Sequence, residues 1–312
     1  MKALVTGVAG FIGSHLADSL LADGVEVVGV DAFLDYYPRV AKERNLESAR
    51  SRSGFRLVEG ALQDLALGEL LDGVDHVYHL AAQAGVRASW GRDFEVYTSN
   101  NVLATQRLLE ALAARDPVRL VMASSSSVYG DAPTLPLAED AACRPVSPYG
   151  VTKLAAEHLG LLYHRNHALP VVALRYFTVY GPRQRPDMAF RRFLEAARDG
   201  GVLHVYGDGE QTRDFTFVRD IVSATRAAAD RGVPGRVYNV GGGERVPLNR
   251  VLELIREVTG RELDIRREAA QKGDMRDTAA DTTAAERDLG FRSTIALPEG
   301  LAAEWAWVRG LA

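Results

Sequence analysis

Tyr149 and Lys153 stand four residues apart in the run Ser147-Pro148-Tyr149-Gly150-Val151-Thr152-Lys153. That spacing predicts one shared face on the first turns of a helix running to about His167. A nearby ammonium favours phenolate over phenol, so Lys153 is expected to lower the Tyr149 pKa and make it a base near neutral pH. A serine run, Ser124 to Ser127, follows an apolar stretch from Val118 to Ala123. The Ser125 hydroxyl could share the proton that Tyr149 moves. Tyrosine and lysine also fall at this spacing by chance in many helices, so the pair acquires meaning from the elements that position it.

The first of those elements is the N-terminal strand and the turn after it. Ala3 to Val5 reads as a buried parallel strand, Gly7-x-x-Gly10-x-x-Gly13 follows directly, and Leu16, Leu20 and Leu21 then take helical spacing. Strand, glycine turn and helix together are the context of a dinucleotide site. Gly7 permits the tight turn, Gly10 lets backbone approach a pyrophosphate, and Gly13 lets helix pack on strand. The helix N-terminus offers free N–H groups to the phosphates. A second apolar run, Val25 to Val30, ends in Asp31, about 20 residues past the turn, where a carboxylate accepts from ribose hydroxyls and repels a 2′-phosphate. The expected cofactor is NAD rather than NADP. Asp31 as a helix cap is the competing reading.

Further elements follow in order. Ala32 to Pro38 is an aromatic loop, Arg39 to Ser51 a charged helix, and Phe55 to Val58 a third strand. Asp64 is expected to cap a short helix from Leu65 to Leu71. Asp75 to Leu80 is a fourth strand running into Ala81-Ala82-Gln83-Ala84-Gly85. Small residues there suit a ligand lying on the backbone, and a plain turn accounts for them as well. Arg92 to Arg115 reads as helical, with Val102, Leu103, Leu108, Leu109 and Leu112 on one face and Asn101 either functional or on the surface. Val118 to Ala123 is the fifth strand, and its serines would stand at the carboxyl edge of the sheet, where ligands bind in such folds.

The 312 residues are 47% hydrophobic and 25% charged, which gives ample core material for one large or two moderate domains. The net charge of -4 offers no basic footprint for nucleic acid. The single cysteine, Cys143, excludes an intrachain disulfide and reads as a bland thiol. The chain opens on a strand rather than a signal, and no apolar run reaches membrane-spanning length. The expectation is a cytoplasmic protein.

These residues make the chain resemble an extended short-chain dehydrogenase/reductase of the NAD-dependent sugar-nucleotide epimerase/dehydratase group. The hallmarks are Gly7-x-x-Gly10-x-x-Gly13, Asp31, His79-Leu80-Ala81-Ala82, Ser125 and Tyr149-x-x-x-Lys153. The resemblance spans nearly the whole chain. It implies a Rossmann-type doubly wound parallel α/β sheet over residues 1–180, completed by about 215–245, and a smaller α/β substrate domain in 181–312. For NAD it implies Gly7, Gly10, Phe11, Ile12, Gly13, Asp31, Leu62, Leu80, Ala81, Ala82, Gln83, Asn101, Tyr149, Lys153 and Tyr176. Ala61 departs from the family, which often has an acid there against adenine.

The second half bears on the substrate. Val171 to Arg175 is a sixth strand, Leu203 to Tyr206 a short one, Phe217 to Arg231 a helix, and Val237 to Val240 a returning strand. Leu248 to Val258 is a helix, Leu263 to Arg267 an edge strand, and Leu301 to Val308 a closing helix in which Trp305 and Trp307 pack. The resemblance implies a UDP-sugar held by Arg213 at the diphosphate, Gln271 and Asp274 at the uridine ribose, and Val205 and Tyr206 nearby. Around the sugar it implies Ser125, Ser126, Ser127, Tyr149, Phe177, Thr178, Arg185 and Arg192. Both arginines could equally be solvated helix charges.

Family dehydratases carry Asp-Glu, and decarboxylases a glutamate, where this chain has Ser126 and Ser127. That leaves 4-epimerisation, which needs only a base and a reversible hydride carrier. Asp35-Tyr36-Tyr37-Pro38, the runs Phe177 to Pro182 and Arg185 to Ala189, and Gln271 before Gly-Asp resemble UDP-glucuronate 4-epimerases. Competing readings are a UDP-glucose or UDP-N-acetylglucosamine 4-epimerase, a UDP-glucuronate decarboxylase, and a non-catalytic NAD-binding protein. The resemblance also implies a homodimer through helices around Asn101 to Ala114 and Tyr149 to Arg165.

Overall fold

The computed structural model describes residues 1–131, 134–269 and 275–311. In chain order the strands are β1 (Lys2–Thr6), β2 (Glu26–Asp31), β3 (Phe55–Glu59), β4 (His76–His79), β5 (Arg119–Ser125), β6 (Val171–Tyr176), β7 (Thr178–Tyr180), β8 (Val202–Tyr206), β9 (Thr212–Phe217), β10 (Val237–Val240), β11 (Glu244–Pro247) and β12 (Asp264–Glu268). Seven of them form one parallel sheet in the order β10-β6-β5-β4-β1-β2-β3. Strand order reverses at β1, which pairs β2 on one side and β4 on the other. A crevice opens outside the carboxyl ends at such a switch point. β6 is buried along its whole length, as a strand covered on both faces must be.

Two smaller sheets follow. β11, β9 and β7 form a three-stranded sheet, with β9 antiparallel to β11 and parallel to β7. β12 pairs β8 in parallel. β7, β9 and β11 are short and carry polar or turn residues, so alternation alone did not mark them; nor did it mark the helix Thr283–Leu289. The closing helix runs from Leu297 to Arg309, with Trp305 buried and Trp307 packed on the core beneath the Arg191 guanidinium.

Three local expectations are corrected. Asp64 caps nothing: the short helix is Leu67–Leu70 and starts at Ala66 with no side-chain cap. The charged helix after the aromatic loop divides at Leu46, whose side chain is fully buried, into Arg39–Asn45 and Glu47–Arg50. The stretch from Arg92 passes through a π-helical segment, Thr98–Leu103, before the helix Ala104–Ala113. The wider turn shifts the register. Leu103 therefore faces solvent at 42% exposure, while Asn101 turns inward at 1%.

Candidate active site

A cavity of about 800 Å³ runs across the carboxyl edge of the large sheet. The glycine turn forms its floor. Gly7 has φ +71°, and a Cβ there would sit 2.7 Å from the Ala81 nitrogen; a Cβ on Gly13 would sit 2.2 Å from the Gly7 oxygen. Neither contact is tolerable. A Cβ on Gly10 would meet only the Gly7 oxygen, at 3.1 Å, so its absence mainly opens the cavity. The helix Phe11–Ala22 starts at Gly10 with no side-chain cap, and Gly10 to Gly13 line the cavity. This is an anion cradle.

Asp31 joins the turn to the next strand. Its carboxylate accepts from Ala9 N at 3.0 Å and Phe33 N at 2.8 Å. Burial raises its pKa, opposed by these bonds and by the Lys42 charge. Both oxygens serve the backbone while the residue lines the cavity, so Asp31 is structural as well as an available ribose acceptor. Ala61 and Leu62 line the same end.

A buried relay shapes the β4 end. Ala81 N donates to Thr6 Oγ1 at 3.1 Å, and Thr6 Oγ1 lies 2.8 Å from His79 Nδ1. His79 Nε2 lies 2.9 Å from Thr105 Oγ1, which donates to Asn101 O at 2.7 Å. Burial pushes His79 down to about 3, so the ring is neutral. The Thr105 proton is committed to the carbonyl, so Nε2 donates and Nδ1 accepts. Asn101 continues the chain: its Oδ1 accepts from Gln83 N at 2.7 Å, and its Nδ2 donates to Gln83 O and Thr152 Oγ1. The cavity lining includes Leu80, Ala81, Ala82 and Gln83 but not Asn101. Asn101 thus holds the Gln83 backbone at the edge of the cavity.

Tyr149, Lys153 and Ser125 come together at the centre. Ser147 caps the helix Pro148–His167 through Gly150 N at 3.1 Å, which sets Tyr149 in the first turn. Ser125 Oγ accepts from Ser127 N at 3.1 Å, leaving its proton for its hydrogen bond with Tyr149. The Tyr97 ring meets the Tyr149 ring edge-on at 6.3 Å.

The electrostatics differ from the sequence expectation. Burial raises the Tyr149 pKa; the Arg185 charge and the Ser125 bond oppose it. Lys153 is itself pushed down to about 8 by burial, with Glu157 holding it up, and its Nζ donates to Ala123 O. One of the three ammonium N–H groups goes to that carbonyl. The cation that opposes the rise in the Tyr149 pKa is Arg185, which lies 36 positions further along the sequence.

Arg185 makes a two-pronged pair with Asp187 at 3.0 Å on each prong, and the Tyr36 hydroxyl donates to Asp187 at 3.1 Å. Asp187, read from the sequence only as part of the Arg185 to Ala189 run, and Lys42 and Tyr97, not singled out there, all bear on the site. An Arg-Pro-Asp run was the available signal for Asp187.

Tyr176, Phe177 and Thr178 line the middle of the cavity, with Ser126 and Ser127 beside them. Arg192, Val205, Tyr206 and Arg213 line its far end. Arg213 donates to the Thr212 and Arg276 carbonyls, each at 2.9 Å. The Arg87 guanidinium lies 4.4 Å over the Tyr206 ring. Gln271 and Asp274 lie outside the described residues.

A parallel sheet with a glycine cradle and a Ser–Tyr–Lys centre defines the class: a dinucleotide-dependent enzyme acting at a hydroxyl-bearing carbon. Residues 3–241 match the model of the NAD dependent epimerase/dehydratase family. The chain belongs to that family. It is similar to the UDP-glucuronic acid 4-epimerase of Bacillus cereus, solved with UDP-glucuronic acid and NAD, at 42% identity and a TM-score of 0.97 over 100% of both chains. It is 36% identical to a UDP-glucuronate 4-epimerase of Thermodesulfobacterium geofontis, over 97% of this chain and 95% of that one. It is 41% identical to an uncharacterized UDP-glucose epimerase of Bacillus subtilis, over 100% and 99%.

Proposed function

We propose that this protein is a UDP-glucuronate 4-epimerase, interconverting UDP-glucuronate and UDP-galacturonate. The observation that carries the reading is Arg185. It sets a cation beside the base Tyr149, in a cavity that Thr178, Ser126 and Ser127 line with hydroxyls. A sugar bearing a carboxylate at C6 finds charge and donors there. The full-length likeness to UDP-glucuronate 4-epimerases supports it.

NAD fits the cradle: Gly7, Gly10 and Gly13 leave the room, Asp31 would hold the ribose, and Lys153 would stand at the nicotinamide end. When bound, it supplies a reversible hydride acceptor for C4. Tyr149 takes the 4-hydroxyl proton while Ser125 hydrogen-bonds O4. The 4-keto sugar turns about its diphosphate linkage, with Arg213 holding the diphosphate. With the hydride given back to C4 on its other face and Tyr149 returning the proton to O4, no net oxidation results.

We further propose a large dinucleotide-binding part, residues 1–180 with β10, and a substrate part made of the rest. A cytoplasmic homodimer completes the reading. Leu103, Val151 and Leu162, all exposed on the two helices concerned, support the dimer. No helix among the described residues is long and apolar enough to cross a membrane.

The test is proton NMR of purified protein with UDP-glucuronate, UDP-glucose or UDP-N-acetylglucosamine and no reductant. UDP-galacturonate in the first tube alone is expected. Conversion of a neutral sugar only, the alternative that the Bacillus subtilis relative favours, overturns the uronate reading and keeps the epimerase.

A further inference from the structure

The segment from Gly181 to Asp187 carries Arg185; Glu304 accepts from Gly181 N at 2.9 Å and Arg191 donates to Gln184 O at 2.9 Å, and its other anchors lie in elements of the dinucleotide cradle. His15 stands in the second turn of the glycine-turn helix, and its Nε2 lies 2.8 Å from the Pro182 carbonyl. A carbonyl only accepts, so Nε2 carries the proton. Burial, then the Arg183 charge, pulls the ring down to about 4, so it is neutral. Asp18, one turn on, lies 2.8 Å from Arg183 as an ion pair. Arg183 has φ +66°, a conformation L side chains rarely adopt, so something must hold it there. At the far end Asp187 receives the Tyr36 hydroxyl from the loop that follows Asp31.

We propose that His15 and Asp18 are positioning residues for Arg185. They clamp the Gly181–Asp187 segment to the helix whose N-terminus faces the dinucleotide, so that the cradle sets where the cation stands against Tyr149. This rests on the epimerase reading for its kinetic consequence only. The groups bearing on Tyr149 are the Ser125 hydroxyl from β5, the Tyr97 ring from the neighbouring helical stretch, and Arg185, with Lys153 one turn further along its own helix. Only Arg185 depends on the clamp.

The experiment compares His15→Leu, His15→Gln, Asp18→Asn and the charge swap Asp18→Arg with Arg183→Asp, taking Arg185→Ala as reference. Melting temperature and bound NAD report the fold. Hydrogen exchange of residues 181–187, with and without added NAD, reports the clamp. NAD is expected to slow exchange in the parent protein, and His15→Leu and Asp18→Asn to exchange about tenfold faster with little response to NAD. Their kcat should fall about tenfold, with the pH of half-maximal kcat moving up in the direction of Arg185→Ala. Glutamine, which keeps an N–H donor, and the charge swap should recover most of the loss. Asp18→Asn should cost nothing further on top of Arg185→Ala.

Unchanged exchange and unchanged pH dependence in His15→Leu and Asp18→Asn overturn the proposal. So does an equal loss from Asp18→Asn with and without Arg185. Should a single variant unfold, a swap that leaves NAD-dependent exchange unrestored also counts against the clamp. Absence of any turnover in the parent protein would defeat the epimerase reading, and the exchange measurement would still decide the clamp.

Discussion

Replacing Lys153 by methionine is expected to abolish turnover and stabilise the fold. Lys153 is 6% exposed, and burial moves its pKa from 10.5 to about 8. At about 1.4 kcal/mol per pH unit, the charged lysine costs about 3 kcal/mol of folding stability below pH 8. Methionine fills a similar volume and carries no charge, and Glu157 keeps Arg175 and Ser124 as partners. Loss of the bond to Ala123 O offsets about 1 kcal/mol. The net gain expected at pH 7 is about 2 kcal/mol.

The gain depends on pH in a defined direction. Between pH 8 and 10.5 the folded protein has released the Lys153 proton and the unfolded chain still holds it. The unfolded state therefore binds more protons, and the parent protein gains stability as pH rises through this window. The advantage of Lys153→Met should shrink from pH 8 upward and approach its minimum near 10.5. Urea unfolding of both proteins, freed of dinucleotide so that ligand binding adds nothing, measures the gap at pH 7 and pH 10. A variant less stable than the parent at pH 7, or a gap of equal size at both values, would refute the reasoning.

Two further outcomes are expected. Glu157→Gln leaves the Arg175 guanidinium, 5% exposed, without its carboxylate, and should cost about 3–5 kcal/mol in urea unfolding. It also withdraws the charge that holds up the Lys153 pKa, so the fall in kcat at high pH should begin lower than in the parent; an unmoved limb would break the link between the two residues. Thr178→Val bears on a hazard of uronates, whose 4-keto form is a β-keto acid that loses CO₂ when the C5–C6 bond stands perpendicular to the carbonyl plane. Losing a hydrogen bond to a carboxylate, about 1.5–3 kcal/mol, should raise released UDP-pentose tenfold or more, and no rise by NMR would remove Thr178 from that role.

How much was legible in the sequence differs between local and distant features. The glycine turn and Asp31 are local rules of backbone geometry and were readable residue by residue. The strands of the large sheet were readable because burial on both faces leaves near-continuous apolar runs. The three-stranded sheet was not, since β7, β9 and β11 are three to six residues long and partly polar. The π-helical segment was hidden because periodicity assumes a constant turn, and one wider turn exchanged the fates of Asn101 and Leu103.

What the sequence by itself determined is the glycine cradle and the shared helix face of Tyr149 and Lys153, because each depends on neighbours within a turn or two of chain. Only the tertiary structure decided the charge at the centre. Burial is set by everything packed around a group, and it carried Lys153 down and Tyr149 up, against the simple pairing of helix neighbours. It also brought Arg185 to Tyr149 and tied the Arg185 segment to His15 and Asp18, some 165 residues earlier in the chain. Contacts at such separation leave no spacing to read, because the fold, not the sequence interval, sets their distance.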